Sequence, residues 1–87
     1  MENHYLSVEN REKLTINQVI DVEAFDEQNL WANIKDGAIE ISGDNLSVEK
    51  LDLEEGLLII RGKINSFCYL NKNVKPKNQL IGIIKRK

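Results

Sequence analysis

Few residues in this chain are of types that perform chemistry. The only histidine, His4, sits in a polar N-terminal stretch, where an imidazole is expected to be solvated. The only cysteine, Cys68, has no structured histidine in its vicinity to draw off its proton, so it has no route to a thiolate nucleophile. Its apolar neighbours Phe67, Tyr69 and Leu70 predict a small buried thiol instead, and one cysteine excludes an internal disulfide. Carboxylates cluster at Asp26 and Glu27 and again at Asp52, Glu54 and Glu55. Paired carboxylates serve hydrolases, but both clusters fall in polar stretches that read as turns, where acids are ordinary solvated residues. No glycine-rich phosphate loop precedes a helix, and no cysteine–histidine set has zinc spacing. The residues therefore predict no enzyme, no metal, no cofactor and no small-molecule substrate.

The elements that surround these residues are strands. Leu14 to Val19 and Asp21 to Phe25 alternate apolar and polar residues, the signal of a half-buried strand. Leu30, Ala32 and Ile34 share one face of a third strand, with Trp31 out of phase and so expected on the opposite, more exposed face as a contact for a partner. Ala38 to Ser42, Leu46 to Leu51, Leu57 to Ile60 and Ile64 to Leu70 complete the series, separated by turns at 35–37 and 52–56 and by breaks or bulges at Gly43 and Gly62.

A near-duplication runs through the later strands. Residues 36–51 are echoed by 55–70 at an offset of 19, keeping Gly37/Gly56, Gly43/Gly62, Ile41/Ile60, Ser47/Ser66 and Leu51/Leu70. Phe67 shares its slot with Val48, which predicts a core position. The expected fold is all-β: one small domain of short antiparallel strands with a 19-residue repeat, as a sandwich or roll, or alternatively a short β-solenoid. The domain divides into a flexible arm at 1–13, a β domain at 14–70, and a basic linker with an aliphatic-cationic tail at 71–87.

Charge is polarised along the chain. Fourteen acids and four cations lie at or before Glu55, and eight cations with no acid follow, giving −10 and +8. Nucleic-acid binding is not expected, because the pI is about 5.4 and Phe67, one of the two aromatics of the basic half, falls in a core slot. The tail ends in Leu80, Ile81, Ile83 and Ile84 followed by Lys85, Arg86 and Lys87. Aliphatics beside cations suit a final edge strand or a weak contact with a membrane or membrane protein. With Trp31, these seven residues are the candidate contact site. No apolar run is long enough to span a bilayer. A chain of 87 residues makes a marginal core, so self-association is expected.

The pattern Leu14-Thr15-Ile16, Val19, Val22 and Phe25-Asp26-Glu27, then Gly37, Ile39, Ile41, Gly43, Leu46, Val48 and Leu51, then Leu53-Glu54-Glu55-Gly56, Leu58, Ile60, Gly62, Ile64 and Tyr69, resembles the YabP family of sporulation proteins, which also includes YqfC. The resemblance covers roughly Lys13 to Leu70, and Gln18 departs from it by standing where glycine is expected. It implies endospore formation, with a part in spore envelope or coat assembly. It also implies a cytoplasmic protein of the mother cell, peripheral at the forespore membrane and acting beside a membrane-protein partner. It carries over no catalytic residue. Two readings follow from it: a self-associating or membrane-adjacent scaffold, and a small adaptor that binds its partner through the tail.

Overall fold

A computed structural model describes residues 3–71. The tail positions Leu80 to Lys87 lie outside them. Six strands follow one another: β1 (Leu6–Glu9), β2 (Lys13–Ile16), β3 (Val19–Phe25), β4 (Asn29–Ile34), β5 (Gly37–Asp52) and β6 (Leu57–Leu70). They form one antiparallel sheet in the order β1-β2-β6-β5-β4-β3, which does not close. The all-β expectation holds.

Alternation of apolar residues sets the inner face. Leu14 and Ile16 of β2 lie opposite Ile60 and Leu58 of β6. Leu30 and Ala32 of β4 lie opposite Ile41 and Ile39 of β5. All eight belong to one buried cluster with Val19, Ile34, Leu46 and Ile64. Residues of both ends of the sheet can share a core only if the sheet bends over on itself, so the architecture is a roll and not a pair of separate sheets. Leu6 of β1 and Val22 of β3 close the two sides of that core.

The bend lies in the long β5–β6 pair, where the register shifts between Ser42 and Gly43 and between Asp44 and Ser47. The expected breaks at Gly43 and Gly62 are bends within continuous strands, as bulges allow. At each bend a hairpin end supplies the backbone partner. Gly43 and Leu46 N–H donate to Gln28 and Glu27 O, at 2.9 and 2.8 Å, and Gly62 and Ile64 N–H donate to Glu12 and Arg11 O, at 3.2 and 2.8 Å.

The solenoid alternative is excluded, because β5 and β6 pair antiparallel whereas successive solenoid rungs stack in parallel. The 19-residue repeat is not established as a structural unit. Ser66 lies opposite Ser42 while Ser47 lies opposite Arg61, so the two copies meet different surroundings. The segment read as an arm contains β1, which pairs with β2 from Leu6–Ile16 to Glu9–Lys13.

Gln18 links β2 to β3 in the left-handed conformation, φ 63°. Its carbonyl accepts from Lys35 N–H at 3.1 Å, and next to it Val19 N–H donates to Gly56 O at 2.9 Å, so the corner is pinned from both sides. A residue with a Cβ is disfavoured there by about 1 kcal/mol relative to glycine. Gln18→Gly is therefore expected to raise stability by up to about 1 kcal/mol, read as a higher urea midpoint at unchanged slope. An unchanged or lower midpoint would show that the glutamine side chain offsets the strain.

Candidate functional site

The carboxylate clusters build turns. Asp26 Oδ1 accepts from the N–H groups of Gln28 and Asn29, both at 2.8 Å, and Asp26 N–H donates to Asn29 O at 2.8 Å. That closes the β3–β4 turn, and the turn then offers Glu27 O to the bend in β5. Asp52 Oδ1 does the same for Glu54 and Glu55 N–H, at 3.1 and 3.2 Å. The Phe25-Asp26-Glu27 and Leu53-Glu54-Glu55-Gly56 motifs are thus backbone devices. The shallow cleft of about 280 Å³ beside the second turn mixes Gln18, Lys35, Glu54 and Glu55 with apolar Val19, Ile20 and Leu53 and contains no paired nucleophile and base. Among the described residues no group of three or more His, Cys, Asp or Glu is placed to hold a metal ion.

A larger open cleft of about 530 Å³ sits at the other bend, lined by Arg11, Glu12, Asp44, Arg61 and Lys63 among others. It is where the left-handed residues gather: Asn10 (φ 52°), Arg11 (56°), Asn45 (54°) and Gly62 (129°). Asn10 and Arg11 form the tight β1–β2 turn, closed by Glu12 N–H donating to Glu9 O at 2.9 Å. The strained arginine is held by its own side chain. Its Nε donates to Ile64 O at 3.1 Å and its Nη2 to Asn65 Oδ1 at 3.0 Å. Asn65 in turn donates to Asp44 Oδ2 at 3.3 Å. Arg61 is paired with Glu49 on the outer surface. The hydrogen bond from Arg61, reinforced by its charge, lowers the Glu49 carboxyl below its ordinary 4.5, and the same partner raises Arg61. The sign follows: this pair stabilises the fold above the ordinary carboxylate range, and the effect fades as the pH falls through the lowered value. Its two arginines being committed in this way, the cleft is a corner joint.

The structure corrects three placements. Trp31 is 5% exposed, not displayed to solvent. It stands on the face opposite Leu30 and Ala32, flanked across the strands by Ala24 and Glu40. Cys68 is exposed, not buried. Phe67 is 42% exposed, not core. The cause is common to the last two. Beyond the bend β6 outruns β2, whose ladder with it ends at Lys13–Arg61, so residues 64–70 have a strand neighbour on one side only among the described residues.

This half of β6 is the candidate site. Phe67 and Tyr69, 42% and 48% exposed, continue the inner face of the sheet opposite Ile41 and Ile39. Their rings meet edge to face with centroids 6.4 Å apart. Tyr69 Oη shares a hydrogen bond of 2.9 Å with His4 Nε2, which ties the N-terminal residues to this edge. Sequence reasoning missed the site because the alternation of 64–70 is that of a covered strand. Which strands lie alongside is a matter of topology.

The fold defines a small open β-roll with an exposed strand edge in β6 and, among the described residues, no catalytic constellation. The model of the YabP family matches residues 1–76, and the chain is 31% identical over 76 residues to the Spore protein YabP of Bacillus subtilis (strain 168), covering 87% of this chain and 76% of that protein. The chain belongs to the YabP family. Membership implies a role in sporulation.

Proposed function

We propose that the chain is a non-enzymatic scaffold of spore envelope or coat assembly. It acts from the mother-cell cytoplasm at the forespore membrane, beside a sporulation membrane protein. The observation that supports this reading is the open half of β6, residues 64–70, which displays Phe67 and Tyr69 and has β5 as its one strand neighbour among the described residues. A second reading rests on the sequence of the tail, four aliphatics followed by Lys85, Arg86 and Lys87, which would make the chain an adaptor held at the membrane or at its partner by that end. Among the described residues no helix is long and apolar enough to cross a membrane.

Fluorescent fusions in sporulating Bacillus subtilis separate the two. The scaffold reading expects the wild-type fusion to gather at the forespore, a Phe67→Lys/Tyr69→Lys variant to disperse, and a chain lacking Leu80 to Lys87 to remain in place. Dispersal of the truncated chain alone favours the adaptor. A wild-type fusion spread evenly through the mother cell contradicts both.

A further inference from the structure

The edges of the sheet are not alike. Outer strand β1 carries Glu9, outer strand β3 carries Asp21 and Glu23, and the part of β5 beyond the bend carries Glu49, Lys50 and Asp52. Charges on an edge obstruct pairing with another chain, because a strand laid alongside must desolvate them or meet them unpaired. The remaining edge, Ile64-Asn65-Ser66-Phe67-Cys68-Tyr69-Leu70, has no charged residue and no proline over seven residues; its first residue is already bonded to Arg11 through both N–H and O, which leaves Asn65 to Leu70 open. It combines β-branched, aromatic and small polar residues, the composition that favours strand pairing.

Within the framework of the scaffold reading, we infer that this edge pairs with the same edge of a second copy, antiparallel about a two-fold axis at Phe67. A neutral edge suits a neutral strand: a charged one would leave its charges facing Ser66, Phe67 and Cys68 without a counter-ion. Of the edges described in this chain only 64–70 is neutral, and a two-fold axis is the arrangement in which one surface serves as its own complement. With the axis at Phe67, Ser66 lies opposite the partner copy's position 68, small against small, and Asn65 opposite its position 69. The two Phe67 rings then lie opposite each other on the inner face, covering apolar surface that each copy alone leaves 42% exposed. The outcome is one ladder that runs through β6, β5, β4 and β3 of each copy, eight strands, with β1 and β2 alongside the other half of each β6.

Position 67 facing itself gives a sharp test. Sedimentation of the full chain at high micromolar concentration is expected to show a dimer, in low and in high salt, since no charge takes part. Phe67→Lys and Phe67→Glu each place like charges across the axis and are expected to be monomers, with circular dichroism unchanged because Phe67 is outside the buried cluster. Mixed in equal amounts, the two variants are expected to recover the dimer as a Lys–Glu pair. A wild-type monomer at every concentration overturns the inference. So does a dimer that survives both substitutions, or a mixture that stays monomeric. A monomer whose fusion still gathers at the forespore overturns the pairing alone and leaves the envelope reading standing. A dimer with an evenly dispersed fusion does the reverse.

Discussion

Gly62→Ala is expected to leave the domain largely unfolded at room temperature in mild denaturant, and Gly43→Ala to do nearly the same. Gly62 has φ 129°, a conformation that residues with a Cβ rarely adopt, and a Cβ built there lies 2.6 Å from Asn45 O and 2.9 Å from Leu46 Cα. At Gly43 the added carbon runs directly into Lys63 O. The obstacles are backbone atoms of the facing strand, so no rotamer change relieves them. The bend brings β5 and β6 too close for side chains at these two points, and relief requires prising the strands apart where the core of both halves meets. A cost of about 3 kcal/mol or more is expected for Gly62→Ala, against a total stability on the order of 5–10 kcal/mol for a domain of this size. Thermal unfolding then moves down by more than about 12 °C. A shift of only a few degrees would mean that the bend can open without loss of the core.

Ile60→Ala should have a comparable effect by a different route. Ile60 is fully buried between Leu14 of β2 and Val48 of β5, at the point where the two hairpins share one core. Truncation removes apolar contact and leaves a void that a bent sheet, pinned by backbone hydrogen bonds at both corners, collapses poorly. Ile-to-Ala changes at such sites cost about 2–5 kcal/mol, and Ile60→Val should cost about 1 kcal/mol. Phe67→Ala is the informative comparison. It removes a larger side chain, but one outside the buried cluster, and its expected cost in the isolated chain is below about 1 kcal/mol. Urea titrations of the three variants in dilute solution check this order. An Ile60→Ala variant no weaker than Phe67→Ala would contradict the placement of the core.

The strands were legible because alternation in Leu14–Ile16, Leu30–Ile34, Ile39–Ile41 and Leu58–Ile60 reports which face meets the core, and all four segments do. The turns were legible because Asp26 and Asp52 stand where a carboxylate can cap the following N–H groups. The glycine pattern marked the two bends. What was not legible was the neighbour of each strand. Phe67, Cys68 and Val48 read as covered and stand exposed, while Trp31 reads as displayed and stands buried. Period-2 patterning assigns a side chain to a face; how far a facing strand extends is set by the register of distant segments, here the short ladder between β2 and β6. Gln18 illustrates a further limit. Its position was marked by a departure from the family pattern, and its left-handed φ shows that the position demands what glycine gives easily.

The account rests most heavily on the open half of β6, and amide hydrogen exchange followed as a function of protein concentration examines it directly. Amides in Asn65–Leu70 that do not bond to β5 should exchange freely in dilute solution and become protected as concentration rises, while the Ile64 amide, bonded to Arg11 O, is protected at every concentration and the outer amides of β1 and β3 stay unprotected throughout. Exchange across 64–70 that is independent of concentration would contradict the account.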